Sequence, residues 1–155
     1  MKGNDQVLDL LNSLLADELT AVSQYMVHAG MCANWGYAKL HATIEKRAVE
    51  EMKHAEKLLD RILFLEGVPI VSELNKMHIG ERVEVQLESD CTSEQGAIRA
   101  YNDAIRLTGD LGDHGSRVLL QAILTDEERH LDWLEAQLDQ INQIGSQNYL
   151  QAQLG

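Results

Sequence analysis

The sequence predicts an all-α protein: a four-helix bundle with one long crossover and a short fifth helix at its C-terminal end. Three observations predict this class. Apolar residues recur at alternating steps of four and three along four long segments, as on the inward faces of packed helices. Turns that contain glycine separate these segments. Aromatic residues make up only 5% of the chain and Pro69 is its one proline, whereas sheet sandwiches favour aromatic and β-branched residues.

Residues that commonly end helices delimit each segment. We expect helices over residues 5–34, 37–65, 81–107 and 113–144. The first ends at Asn34-Trp35-Gly36, the second at Gly67 and Pro69, the third in the glycine-rich stretch 109–112, and the fourth at Gly145. Ser146 is predicted to be the N-cap of the short last helix.

The lengths of the connections predict how the helices pack. Short turns join the first helix to the second and the third to the fourth, so each pair is expected to form an antiparallel hairpin. Residues 69–80 show no sustained helical period and are long enough to run the length of a bundle. We therefore expect two hairpins joined by one crossover, within a single domain of residues 1–155.

The charge of the chain narrows its possible partners. Thirteen basic and twenty-five acidic residues give a net charge of −12. A nucleic-acid-binding protein needs the opposite sign, so that class is disfavoured. Cationic partners, metal ions among them, are attracted to such a surface.

No membrane or disulfide signal is predicted. Residues 19–37 lack charged side chains, but their serine, glutamine, histidine and asparagine suit a contact between proteins better than lipid. Cys32 and Cys91 lie far apart without a CxxC motif, which indicates neither a disulfide framework nor a thiolate zinc site. We recognise no signal peptide, so a cytoplasmic location is expected.

Each inward-facing series contains one glutamate near its middle. In chain order these are Glu18, Glu51, Glu94 and Glu127, and the separation of the first two equals that of the last two. The separation between Glu18 and Glu94, here called the hairpin offset, relates the first hairpin to the second. The same offset maps Tyr25 onto Tyr101, Glu51 onto Glu127 and His54 onto His130. The chain is therefore interpreted as two copies of one helical hairpin related by an internal pseudo-twofold.

Four glutamates at equivalent depth indicate a metal site. A single glutamate in an apolar series usually lies at its edge, with the carboxylate reaching water. Four buried together are costly without counter-charge, and no lysine or arginine lies in the central turns of these series. Protonation is one way to neutralise them, and two divalent cations are the other.

His54 and His130 favour the cations. Each follows its glutamate at position i+3, in Glu51-Met52-Lys53-His54 and Glu127-Glu128-Arg129-His130. Residues i and i+3 share a helix face, so the carboxylate and the imidazole can bind one cation. One ExxH motif arises often by chance. Two, each facing a glutamate of a partner helix, are typical of di-iron and di-manganese centres in helix bundles.

The ligand set limits the choice of metal. Carboxylate and imidazole without thiolate suit iron(II), manganese(II) or zinc. Six ligands over two ions leave coordination positions open, as dioxygen activation needs. Zinc has no redox chemistry, so iron is favoured.

These motifs and their flanking residues resemble those of the bacterioferritins, which have the ferritin-like bundle with one crossover. The resemblance covers the whole chain. It is carried by Met-Lys-Gly at the start and Gln147–Gln151 near the end, and by Asn34-Trp35-Gly36 and the segments 51–55, 61–67 and 130–135.

The resemblance implies a ferroxidase centre with specific ligands. Glu51 and Glu127 are expected to bridge two iron ions. Glu18 with His54 is expected to bind one of these ions terminally, and Glu94 with His130 the other. The double ExxH also distinguishes the chain from ferritins of the eukaryotic type.

Met52 is the second feature the resemblance points to. It directly follows Glu51 and so projects about 100° away from the inward face. A methionine there is commonly a packing residue, but the family binds haem between two subunits through this methionine of each. Val22, Met26, Met31 and Trp35 would then line the haem slot.

Other positions match or depart from the family. Asn34, Glu66, Asp132 and Asp139 match its proposed iron path between subunits, although each also suits a solvated acidic surface. Lys46 and Arg47 replace a histidine and an acid that face the cavity in well-studied relatives, which puts an inner iron site in doubt. Leu58 replaces a tyrosine often found near the centre. Tyr25 and Trp133 are present, either as electron donors or as packed aromatic residues.

The expected function is iron storage. Iron(II) is oxidised by dioxygen or peroxide at the two-metal site, and the product mineralises in a shell that the family builds from twenty-four subunits, some with a second subunit type. The resemblance further implies haem-mediated release with electrons from a small ferredoxin, and contacts of residues 140–155 around a fourfold axis.

Three alternatives remain open. The first is a di-iron oxidase or peroxidase without storage, although the four-cysteine domain of rubrerythrin-like enzymes is absent here. The second is a haem electron-transfer protein with a vestigial metal site. The third is a helical bundle without metal.

Overall fold

The computed structural model describes residues 1–155 and contains five helices and no strand. They are α1 (Asp5–Trp35), α2 (Ala38–Phe64), α3 (Val83–Asp110), α4 (His114–Ile144) and α5 (Ser146–Gln151). Tight turns make α1 with α2, and α3 with α4, two hairpins, and residues 65–82 form the crossover between them. The predicted class and order of helices are confirmed. None of the helices has the length and hydropathy that crossing a membrane requires.

Side-chain caps and glycine conformation account for both ends of α1. The side chain of Asn4 accepts hydrogen bonds from the backbone N–H groups of Gln6 and Val7, at 2.8 and 3.4 Å. At the other end Gly36 takes a left-handed conformation with φ of 86°. Its backbone N–H bonds to a carbonyl of the last turn, and the chain then turns directly into α2.

One predicted helix cap is wrong. Ser146 is not an N-cap but the first residue of α5, and its hydroxyl donates to Glu84 of α3 at 3.2 Å instead of capping the helix. The third helix ends within the predicted glycine-rich stretch, at Asp110, and so includes Gly109. The left-handed residue that permits the turn is Gly112, with φ of 75°, so Gly109 remains helical.

Gly67, just after the end of α2, has a packing role and does not adopt a left-handed conformation. Glu66 adopts the left-handed conformation, with φ of 61°, and Gly67 does not. A Cβ at Gly67 would lie 2.6 Å from Cδ2 of Leu8 and 3.0 Å from Cγ2 of Ile62, so a side chain there would require these neighbours to shift. The close approach of the Leu8 side chain therefore favours glycine at position 67, and the left-handed conformation at this turn belongs to Glu66.

The interior consists of two apolar clusters separated by a polar layer. The first cluster is built around Leu11, Leu58 and Leu120, and the second around Ile44, Leu87 and Leu134. Each cluster draws residues from all four long helices. Between them lies the polar layer, defined as Glu18, Glu51, His54, Glu94, Glu127 and His130, all of them buried.

Polar side chains of α1 hold the crossover along its path. The backbone N–H of Asn75 donates to Thr20 Oγ1 at 2.9 Å, and that of His78 donates to Gln24 Oε1 at 3.0 Å. Gly80 N–H donates to Nε2 of His28 at 3.1 Å. The crossover therefore follows α1 and lies beside the polar layer.

Candidate metal centre

The polar layer brings together all six side chains that the sequence predicted as metal ligands. Glu18 comes from α1, Glu51 and His54 from α2, Glu94 from α3, and Glu127 and His130 from α4. None of the six is more than 3% exposed. Each glutamate lies at the point where the inward face of its helix passes from one apolar cluster to the other, which is why one occurs per helix.

The six residues form two overlapping groups that could each hold a metal ion. One group is Glu18, Glu51, His54 and Glu127, and the other is Glu51, Glu94, Glu127 and His130. Within each group the possible ligand atoms all lie within 4.8 Å of one another. Glu51 and Glu127 belong to both groups, so their carboxylates lie between the two positions.

The histidines contact the carboxylates through Nδ1. Nδ1 of His54 lies 3.0 Å from Glu127 Oε1 and 3.3 Å from Glu51 Oε2. Nδ1 of His130 lies 2.8 Å from Glu51 Oε1 and 3.4 Å from Glu94 Oε1. The two rings are stacked with their centroids 6.1 Å apart. Each imidazole therefore faces both shared glutamates and one glutamate of its own group.

The carboxylate and imidazole groups of the polar layer suit bound cations. Oε2 of Glu18 and Oε2 of Glu94 are buried without any hydrogen-bond partner. Buried carboxylate oxygens are rarely left without a donor or a cation. The ion-pair partners of the four glutamates are the two histidines, and no lysine or arginine is among them. The centre thus offers more negative oxygens than the protein itself neutralises.

In the metal-free protein, protons balance this charge. Burial raises the pKa of Glu94 to about 8 and also raises that of Glu18 and Glu51. Burial lowers the pKa of His54 and of His130, but hydrogen bonds with glutamates outweigh it and raise these values to about 10 and about 9. Burial also acts to raise the pKa of Glu127, but hydrogen bonds from Glu94 and the histidines outweigh it and lower this pKa.

Cation binding is expected to strengthen as pH rises. Glu94 and both histidines carry protons in the neutral range, and a divalent cation must displace them. Co(II) titrations of the metal-free protein between about pH 6 and about pH 9 should therefore give a falling Kd, with proton release measurable in weak buffer. A Kd that is constant over this range would contradict displacement of these protons.

Two acids beside the shared glutamates, which the sequence reasoning missed, orient the histidines. Nε2 of His54 lies 2.8 Å from Asp126, and Nε2 of His130 lies 2.6 Å from Glu50. A hydrogen bond at one ring nitrogen fixes the other toward a metal. The signal was available, because the hairpin offset also relates Glu50 to Asp126. Nη2 of Arg129 links the two acids, at 3.1 Å from Asp126 and 3.5 Å from Glu50.

The aromatic residues predicted near the centre take different places. The hydroxyl of Tyr25 donates to Glu94 Oε1 at 2.5 Å. Trp133 is partly buried and packs under the guanidinium of Arg47, whose Cζ lies 5.8 Å from the ring centroid.

Two positions that depart from the family pattern differ in exposure. Leu58 is fully buried in the first apolar cluster, while Lys46 is exposed.

A cavity of about 540 Å³ leads from the surface to the polar layer. Its lining includes Glu18, Glu51, Glu94 and Glu127, together with residues of α1, α3 and the crossover. Asp17 and Glu88 add two carboxylates to its wall, and Lys76 and His78 of the crossover are exposed there. The two histidines of the polar layer do not line the cavity, so the carboxylates are the first ligand groups that a solute entering this way meets.

The remaining predicted residues lie away from this centre. Met52 is 43% exposed, although Glu51 beside it is 1% exposed. Met26 and Trp35 are also exposed, at 61% and 37%, while Val22 and Met31 are partly buried. Four further predicted positions are all exposed: Asn34, Glu66, Asp132 and Asp139.

Known proteins agree with this architecture. A family model described as a ferritin-like domain matches residues 8–144. The bacterioferritins of Rhodobacter capsulatus and Brucella melitensis are each 40% identical over 149 residues, which cover 96% of this chain and 92% of theirs. Bacterioferritin BfrA of Mycobacterium tuberculosis is 38% identical over 149 residues, 96% of this chain and 94% of its own. With its helical bundle and paired glutamate–histidine groups, the chain therefore belongs to the bacterioferritins of the ferritin-like family.

Proposed function

We propose that the protein is an iron-storage ferroxidase, which oxidises Fe(II) to Fe(III) at the polar layer and stores the product as ferric mineral. The main support for this function is the pair of overlapping groups in the polar layer. Each group contains a histidine and one buried carboxylate oxygen without a hydrogen-bond partner. Iron storage is the function of the bacterioferritin family, to which the chain belongs.

The six side chains divide into shared and separate ligands. Glu51 and Glu127 would serve both iron ions, since they belong to both groups. Glu18 and His54 would complete one site, and Glu94 and His130 the other. A bound pair of Fe(II) ions supplies two electrons to dioxygen or peroxide. The protein's part is to hold the ligands at fixed spacing and to balance charge.

Fe(II) would reach the layer through the cavity between α1, α3 and the crossover. Its wall carries carboxylates that attract a divalent cation. On the other side of the layer, Glu50, Arg129 and Asp126 form a connected set of ion pairs across the ends of both histidines. The exposed acids Glu66, Asp132 and Asp139, with Asn34, would provide the path between subunits that the family resemblance implies.

Iron uptake by the intact protein tests the proposed function. Fe(II) added in air to the purified protein is expected to be oxidised with an initial phase of two ions per subunit. The iron should then elute on size exclusion with a particle far larger than the 17.4 kDa chain. Oxidation by a protein that elutes as a monomer or dimer would instead support a di-iron oxidase or peroxidase without storage.

The particle is proposed to be the family's shell of twenty-four subunits. Residues 140–155 carry no charged side chain, and α5 with its flanking residues suits contacts around a fourfold axis. A second subunit type can share such a shell in relatives, and a small ferredoxin would supply electrons for iron release.

Met52 is proposed to bind haem together with the same residue of a second subunit. Its exposed thioether, and the exposed apolar side chains of Met26 and Trp35, fit an apolar slot completed by another chain. Bound haem would serve electron transfer during release of the stored iron.

Replacing Met52 with leucine is expected to abolish haem binding and leave Fe(II) oxidation unchanged. Leucine retains the apolar volume but has no sulfur ligand, and position 52 projects away from the polar layer. The haem-to-protein ratio from the Soret absorbance, measured beside the initial rate of Fe(II) oxidation, checks this. A Met52→Leu protein with wild-type haem content and spectrum would contradict ligation by this residue.

A further inference from the structure

Two buried tyrosines approach the polar layer from opposite sides. Tyr101, in the first apolar cluster, donates its hydroxyl hydrogen bond to Glu18 Oε1 at 2.5 Å. Tyr25, in the second apolar cluster, donates to Glu94 Oε1 at 2.5 Å as well. They are 1% and 3% exposed. The hairpin offset relates the two tyrosines, as it relates the two glutamates.

Each hydroxyl leaves its glutamate with one free oxygen. The tyrosines occupy Oε1 of Glu18 and Oε1 of Glu94, and the oxygens without a partner are Oε2 of the same two residues. The two glutamates that belong to one group each are thus the two held by tyrosine, while the shared glutamates are held by histidine. In the metal-free protein, burial and neighbouring carboxylates raise the pKa of both tyrosines, which agrees with both hydroxyls acting as donors.

We propose that Tyr101 is a positioning residue of the metal centre. Its hydroxyl holds Oε1 of Glu18 and so fixes the carboxylate beside His54 with Oε2 free for a cation, as Tyr25 fixes Glu94 beside His130. The inference rests on the proposed two-metal function. Its competitor is a structural role, in which Tyr101 only fills the core and uses Glu18 to satisfy its hydroxyl.

Phenylalanine substitutions separate the two roles. Phenylalanine keeps the ring in the core and removes only the donor. In Co(II) titrations of the metal-free protein, Tyr101→Phe is expected to weaken one of the two equivalents per subunit by about tenfold, a usual loss for removing a hydrogen bond to a metal ligand. The d–d absorbance of that equivalent should change as well, because the unheld carboxylate can bind through either or both oxygens.

Tyr149→Phe is the matched control. Tyr149 is also buried, but its hydroxyl donates to Gln137 Oε1 at 2.7 Å, outside the polar layer. This variant should bind both equivalents of Co(II) as the wild type does. The melting temperature of each metal-free variant reports any general loss of packing.

Combining each tyrosine substitution with His130→Ala shows which of the two metal positions that tyrosine serves. His130→Ala removes a ligand of the group that contains Glu94 and leaves the group of Glu18 and His54 complete. In this background, Tyr101→Phe should weaken the tighter Co(II) equivalent, which is held by the complete group, and Tyr25→Phe should not.

The outcomes are distinguishable. Unchanged Co(II) affinity and absorbance in Tyr101→Phe would overturn the positioning role and leave the proposed function standing. So would equal weakening of both equivalents together with a lowered melting temperature, since that indicates a packing defect. A wild-type protein that binds no Co(II) at this layer would overturn the proposed function and the positioning role together.

Discussion

Fe(II) oxidation is expected to fall by at least about 100-fold when Glu51 and Glu127 are both replaced by glutamine. These two carboxylates belong to both possible metal groups, so their loss removes negative ligands from both positions at once. Glutamine retains the volume of glutamate, so the change tests charge and ligation rather than packing. The initial rate of Fe(II) oxidation in air and the Co(II) stoichiometry at equilibrium measure the effect.

The control variant changes two exposed glutamates of the same helices, Glu56→Gln and Glu128→Gln. It has the same change in net charge and should oxidise Fe(II) at the wild-type rate. If the variant at positions 51 and 127 instead retained wild-type oxidation, the chemistry would lie elsewhere. The haem electron-transfer alternative with a vestigial metal site would then be favoured.

Replacing Glu94 with glutamine is expected to stabilise the metal-free protein by about 1–3 kcal/mol at neutral pH. Burial raises the pKa of Glu94 to about 8, so the folded state must hold a proton that the unfolded state releases near its ordinary pKa. Glutamine resembles the protonated acid, and its oxygen can still accept from Tyr25. Urea unfolding of the metal-free variant and wild type measures the difference.

The sign of the pH dependence makes this prediction specific. A folded-state pKa above the unfolded value stabilises the fold at low pH, and that contribution is lost as pH rises toward the folded value. The difference in free energy of unfolding in favour of Glu94→Gln should therefore grow up to about pH 8.

Glu88→Gln is the control. It lies at an exposed position of the same helix and should change stability little. With Co(II) present, the wild type should become more stable than Glu94→Gln, because only the wild type has the Glu94 carboxylate to bind the cation. A metal-free Glu94→Gln protein that is less stable than the wild type would contradict the prediction.

The local and periodic features of this molecule were predictable from the sequence. Alternating steps of four and three predict the inward faces, and the hairpin offset pairs Glu18 with Glu94 and His54 with His130. The structure brings these side chains together. Their assignment as iron ligands, and that of Met52 as a haem ligand, stay predictions.

Features that depend on contacts between distant segments were not predictable. The hairpin offset pairs Glu50 with Asp126, but it does not reveal their partners: both look like surface acids in the sequence, yet each reaches a histidine of another helix. Gly67 suits a conformational stop by residue type, but the approach of Leu8 gives it a packing role. Ser146 fits an N-cap in the same way, and only the position of Glu84 shows another partner for its hydroxyl.

The division of the interior into two apolar clusters has a consequence for how the molecule unfolds. Each cluster holds together all four long helices at its own end of the bundle. Protons neutralise the layer between the clusters in the metal-free protein, and bound cations would neutralise it in the metal-loaded protein. We therefore expect the contents of this layer to set how strongly the two ends are coupled, and so how cooperatively the protein melts.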